Sequence, residues 1–202
     1  MPDTFFKLLG GTDPLNQSLG LMTQGIGYPL RDVEPAISGG DVTVLVENAL
    51  DTASVIDQLP AGLGVALQVL FGAPAATTWF DVDALGNITC LVTDEYTVRG
   101  IFSVGRRGGA AGVAQIYTRG LINGVATQYT SHAIIDNPDV EIPFSFETTL
   151  TLTAGDVVTF EIIRDTDANN SGGLYAGVPD VAGWASAPSA RIIINRFVAV
   201  TP

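Results

Sequence analysis

The sequence predicts an all-β fold, an antiparallel β-sandwich or jelly roll preceded by an irregular N-terminal arm. Three observations point that way. Alternating or β-branched apolar runs recur at intervals of about ten residues from residue 41 onward. Turn formers are dense, with 23 Gly and 11 Pro in 202 residues. Charged residues make up 15% and apolar residues 47%, a mix foreign both to disordered chains and to helical bundles rich in Glu and Lys. A chain of this length buries enough surface for one core without disulfides. One jelly-roll domain is therefore expected over 41–202, with 1–40 as the arm.

Residues 1–40 hold no sustained period of 2 or 3.6 beyond a weak helical turn at Thr4–Leu9, and glycine, proline and polar residues interrupt them throughout. Their apolar anchors are Phe5, Phe6, Leu8, Leu9 and Leu21. A segment with so little internal structure orders only against something else, and a neighbouring subunit is the preferred reading over the chain's own domain. From there strands are expected at Asp41–Val46 and Val65–Phe71, with Ala49–Leu59 open to either a helical turn or a strand. Trp79–Val82 and Asn87–Val92 flank a tight turn at ALGN. In EYTVRGIFSV, Tyr96, Val98, Phe102 and Val104 share one face, with Thr97, Arg99 and Ser103 on the other. GVAQIYTRGLI runs into Asn123-Gly124, a strong hairpin signal. EIPFSFETTLTL sets Ile142, Phe144, Phe146, Leu150 and Leu152 on one face. A turn at Ala154–Asp156, a strand VVTFEIIRD, a long loop over 165–189 and a closing strand RIIINRFV complete the chain.

Charge excludes some functions. The chain carries 9 Lys+Arg against 21 Asp+Glu, a formal net charge of −12. Residues 1–83 hold 2 basic and 10 acidic groups and residues 84–202 hold 7 and 11, so the total conceals no basic half. Nucleic acid is thus not an expected partner. No apolar run approaches the length of a membrane helix, and the opening MPDTFFKLLGG lacks the basic start and long apolar stretch of a signal peptide, so no membrane partner and no signal-dependent secretion are expected. A single cysteine, Cys90, makes neither an intrachain disulfide nor a zinc cluster.

Catalytic constellations are thin. The one histidine, His132, follows Ser131, and neighbours on a strand face opposite ways, so they cannot form a dyad. Cys90 lies in the apolar run ITCLV, the setting of an inert thiol. Glu147 and Glu161 are the strand carboxylates that an acid/base pair would have to use. Asp165, Asp167 and Asn169 space like calcium ligands, but Asn170 stands where an EF-hand loop needs Gly and Ala176 where it needs Glu, which leaves at most a looser calcium site. Arg106-Arg107 reads as a solvated hairpin tip, or as an ion-pair contact to an acidic neighbour. No enzyme activity and no cofactor are expected.

Four passages carry a resemblance: LGNITCLVTDEYTVRGIFSV, the hairpin LINGVATQY, LTLTAGDVVTFEI and PSARIIINRF. Over 86–197 they resemble the trimeric jelly roll of complement globular heads and tumour-necrosis-factor-like domains. In tailed bacteriophages such domains serve as capsid decoration (cement) proteins or as fibre and receptor-binding heads. The resemblance implies a homotrimer on the outer capsid surface of a virion, made in the host cytoplasm, with the major capsid protein or another virion protein as partner. It places Tyr96, Val98, Phe102, Phe144 and Phe146 in a trimer core and residues 1–40 as the inter-subunit arm. The alternative it leaves open is a receptor-binding head that grips host glycans through the 165–189 loop, with Asp165, Asp167, Tyr175 and Trp184. The first 80 residues depart from a bare complement-type head.

Overall fold

The computed structural model describes residues 43–107, 112–138, 140–165 and 171–200. By its contacts the chain divides into residues 46–198 and a second unit of 1–45 with 199–202; the sandwich core belongs to the first. The described residues form strands and no helix: β1 (Thr43–Ser54), β2 (Leu67–Gln68), β3 (Ala75–Ala76), β4 (Phe80–Val82), β5 (Ile88–Cys90), β6 (Asp94–Arg106), β7 (Ala114–Ile122), β8 (Val125–Ile135), β9 (Val140–Leu152), β10 (Val157–Arg164), β11 (Gly172–Leu174) and β12 (Ala190–Val200).

These strands form two sheets. In sheet A, β1 pairs β12 and β12 pairs β6. β9 runs antiparallel along β6 from Asp94↔Leu152 to Arg106↔Val140. A strand has two edges, so β12 (opposite residues 96–102) and β11 (opposite 104–106) share the other edge of β6 in tandem. Sheet B runs β3-β4-β5-β10-β7-β8, with β2 on the β5 side of β10. The chain crosses between the sheets from β1 to β2 and at every connection from β5 to β11 except β7–β8, which is a hairpin within sheet B, as are β3–β4 and β4–β5. That crossing pattern is a jelly roll, the fold class the alternation predicts.

The two sheets close over one apolar core. Tyr96, Val98, Phe102 and Val104 from β6 meet Ile192 and Ile194 from β12 and Phe80, Ile88, Ile116, Phe160 and Ile162 from sheet B, all buried. Aromatic rings link the layers: Phe80 meets Tyr96 edge-on at 4.8 Å, and Phe102 meets Phe160 edge-on at 6.2 Å. Each fully buried Phe or Ile contributes about 1.5–3 kcal/mol of transfer free energy. Tyr96 keeps its hydroxyl satisfied by donating to the Val92 carbonyl at 2.7 Å, and burial pushes its phenol up to about 12.

The turns follow their sequence signals. Asn123 (φ 52°) and Gly124 (φ 76°) are both left-handed, as a two-residue hairpin turn requires. The Asn123 side chain also reaches across to Asp156 at 2.8 Å and accepts from Val157 N at 2.9 Å. Asp83 closes the ALGN turn by accepting from Leu85 N and Asn87 N, which holds its carboxyl below the usual range, first through the Asn87 side chain.

Two elements differ from expectation. Residues 49–54, left open between helix and strand, continue β1. Val65–Phe71, expected as a strand, pairs as one only over Leu67–Gln68. Its later residues find partners singly: Val69 N donates to Phe160 O, and the buried Gln58 amide clamps Leu70 by accepting from its N at 2.7 Å and donating to its carbonyl at 3.1 Å. A buried glutamine replaces a neighbouring strand, a substitution that apolar periodicity does not report.

Candidate functional site

Among the described residues, three surfaces offer recognition chemistry. The first is the open flank of the sandwich. Among the described residues β9 pairs only β6 and β8 pairs only β7, so each is the outer strand of the described part of its sheet, and the two follow one another closely in the chain. The inward-pointing side of β9 is therefore not closed over: Phe144, Phe146 and Leu150 pack against the core yet stay half-buried, and Ile142 is 38% exposed. Phe146 lies across Gly100, its register partner, where a Cβ would overlap the ring. It reaches Phe102 edge-on and Phe160, each at 5.5 Å. Long edges with apolar side chains draw another chain unless something covers them.

Of the five residues the resemblance places in a trimer core, the structure separates two kinds. Tyr96, Val98 and Phe102 are 0% exposed and wholly enclosed between the chain's own sheets, so no second subunit can touch them. Phe144 and Phe146 retain surface at the flank. The reason is positional: β6 is central in sheet A while β9 is at its edge, and strand alternation reads the same in both.

The second surface is the loop after β10, which is more structured than expected because β11 lies within it. Arg107 pins it. Its guanidinium donates to Glu141 at 2.6 Å, to Asp57 at 2.9 Å and to the Ala176 carbonyl at 3.0 Å, and stacks over Tyr175 with 4.5 Å to the ring centroid. The bond to Glu141 above all holds the guanidinium in its charged form. Tyr175 is 4% exposed, and its hydroxyl donates to Ser171 O at 2.8 Å. Burial, first, pushes its phenol up. Tyr175 is thus an anchor and presents no face to a glycan, contrary to the role expected of it. Trp184 is 75% exposed, with Val178 and Val181 also out in solvent. Asp165 is half-buried, and its N donates to Gln115 O.

The arginine doublet is likewise not a solvated tip. Arg106 is 3% exposed and donates to the carbonyls of Gly112 and Asp136, while Arg107 makes the ion pairs already described. The acidic-neighbour reading is the one that holds, for Arg107. Arg164 is also buried and donates to the Gly172 carbonyl, which ties β10 to β11.

The third surface is the outer face of sheet B. Glu161 on β10 faces Arg119 on β7, which faces Thr130 on β8; one row further, Ile163 faces Tyr117, which faces His132. Arg119 donates to Glu161 Oε2 from Nε at 3.0 Å and from Nη2 at 2.8 Å. Tyr117 and His132 stack, with 5.3 Å between centroids and 21° between planes. The sequence offers Glu161 only as one of two strand carboxylates and rules out a Ser131–His132 dyad; this row is not legible in it, since only the strand register brings the residues together.

No catalytic set is assembled from the residues considered for one. Ser131 and His132 point to opposite faces of β8, as their adjacency requires. The Cys90 thiol is buried and donates to Val92 O, and burial pushes its pKa up. Among the described residues no three His, Cys, Asp or Glu side chains gather as metal ligands. Phe5, Phe6, Leu8, Leu9 and Leu21 of the expected arm, its helical turn Thr4–Leu9, and Asp167 lie outside the described residues.

No family model and no curated protein sequence matches the chain. Among solved structures it is similar to the rabbit protein GITRL, at 14% identity and a TM-score of 0.31, covering 62% of this chain and 80% of that one. It is also similar to the globular domain of zebrafish complement 1qA, at 14% identity and a TM-score of 0.36, covering 81% of this chain and 99% of that one. At such values a likeness says nothing of what this chain binds.

Proposed function

We propose that this chain is a non-catalytic, self-associating jelly-roll protein of a phage virion, a homotrimeric capsid decoration (cement) protein on the outer face of the head. The observation that carries self-association is the open β8–β9 flank, where the inward-facing Ile142, Phe144, Phe146 and Leu150 keep apolar surface in the single chain. The number three and the virion setting come from the sequence resemblance. An acidic chain with a single lysine suits the outside of a shell packed with DNA. Residues 1–40 serve as the arm that ties subunits or capsid neighbours together. Binding only to the assembled shell stabilises that shell by mass action.

The test is the solution mass of the full chain and of a variant lacking 1–40, each then mixed with undecorated capsids. A mass near three times 21.1 kDa with capsid binding that disappears on deletion is the expected result. A monomer, or an oligomer indifferent to capsids, overturns the reading. One observation favours the receptor-binding head as a second reading: Trp184, Val178 and Val181 stand out in solvent on a loop that Arg107 and Tyr175 hold in place. Retention on host glycans that Trp184→Ala abolishes would select it.

A further inference from the structure

The outer face of sheet B carries a depression of about 230 Å³ lined by Ala66, Tyr117, Arg119, Thr130, Glu161 and Ile163. We infer that this is a binding site for a neutral saccharide, distinct from the open flank and from the 171–189 loop.

The wall is largely apolar, supplied by Ala66, Ile163 and the ring of Tyr117. One face of the Tyr117 ring stacks on His132, the residue opposite it in the ladder. A pyranose offers a face of C–H groups to such a ring and hydroxyls at its rim. The polar part of the site is the Arg119–Glu161 pair, whose guanidinium is bound through Nε and Nη2 to one carboxylate oxygen, Oε2. Among the described residues nothing bonds to Glu161 Oε1 or to Arg119 Nη1, so the pair keeps a spare acceptor on the carboxylate and, on the far side of the guanidinium, a spare donor. A hydroxyl both donates and accepts, so a sugar hydroxyl can meet either group.

Charge narrows the ligand further. Arg119 is already neutralised by Glu161 at 2.8 Å, in a chain of net charge −12, so an anion finds no uncompensated cation. A cation drawn to Glu161 meets Arg119. Size narrows it again, since the volume is below the roughly 300–1,000 Å³ of sites for drug-sized ligands. One ring fits, such as the terminal residue of a longer glycan. The site shares β8 with the flank through Thr130, but it lies on the outer face of sheet B, whereas the apolar surface of the flank is the inward side of β9, so the two can be tested separately.

The experiment is saturation-transfer NMR on the full chain with the methyl glycosides of glucose, galactose, mannose and N-acetylglucosamine, and a methyl sialoside as the anionic probe. Transfer to at least one neutral glycoside is expected, concentrated on the ring protons of one face. Tyr117→Ala should abolish it, Glu161→Gln should weaken the affinity about tenfold, and Trp184→Ala should leave it unchanged. Unaltered thermal midpoints in Glu161→Gln and Trp184→Ala show that the fold is intact where the comparison is made. Transfer to no neutral glycoside, transfer to the sialoside alone, or transfer that survives Glu161→Gln undiminished or is lost with Trp184→Ala overturns the inference.

Discussion

Tyr96 shows how a single buried polar group sets a pH limit. Its ring is enclosed between the sheets, its hydroxyl has one acceptor in Val92 O, and burial raises its phenol from 10.0 to about 12. A raised pKa means that the folded state favours the protonated form. The corresponding stability is complete below pH 10 and is lost as pH climbs toward 12, because the unfolded chain ionises first. Urea denaturation at steps across that interval should show the decline. Tyr96→Phe should flatten it while costing about 1 kcal/mol at neutral pH for the missing hydrogen bond. Gly86 makes a sharper demand. It sits at φ 81°, and a Cβ there would overlap the carbonyl oxygen of Val69. Gly86→Ala should destabilise by about 2–4 kcal/mol, combining left-handed strain with backbone displacement; equilibrium denaturation measures it, and a loss below half a kilocalorie would contradict this packing of the 83–87 turn.

At the scale of elements, the region after β10 depends on a side chain just past the end of β6. Arg107 joins Glu141 of β9, Asp57 of the segment after β1, and the Ala176 carbonyl, and covers Tyr175. Its side chain is 42% exposed, so solvent screens the charges and the energetic effect of losing them is modest, about 1 kcal/mol. The effect on order is larger. Arg107→Ala should raise amide hydrogen exchange over 174–178 and at Asp57 while leaving β6, β7 and β10 protected. Exchange that rises uniformly over the sandwich, or not at all, would show that Arg107 does not hold this region. The sequence already placed an arginine doublet here and an acidic chain around it. Which of the two arginines is buried was not legible, because Arg106 is held by the carbonyl of Gly112 and by that of Asp136, 30 residues on, and apolar alternation reports neither.

For the whole molecule, the unequal treatment of the two sheet edges matters most. Among the described residues β8 and β9 are long outer strands that follow one another closely in the chain, and the apolar side of β9 is left partly open. Ile142 is the substitution to make, since a charge at a 38% exposed position costs the single chain little. If the flank is the self-association surface, Ile142→Glu should convert an oligomer near 63 kDa (three times 21.1 kDa) into a folded 21.1 kDa species by light scattering, with circular dichroism unchanged. An oligomer that persists places the interface elsewhere.

The sequence by itself determined the all-β class, the hairpin at Asn123-Gly124, the turns at Asp83–Asn87 and Ala154–Asp156, and the inward face of β6. Each of these follows from neighbours in the chain: side-chain alternation, left-handed glycines, and aspartates that cap their own turns. It also showed that Ser131 and His132 cannot act as a pair, for the same local reason. Only the tertiary structure decided which alternating strand is central and which lies at an edge, and therefore that Phe102 is enclosed while Phe144 and Ile142 keep surface. It alone turned Tyr175 from a glycan contact into an anchor, and set Arg119 beside Glu161 and Tyr117 beside His132. Those are facts of strand register and sheet order, fixed by contacts between distant residues, and alternation is blind to them because an edge strand and a central strand share the same period of two.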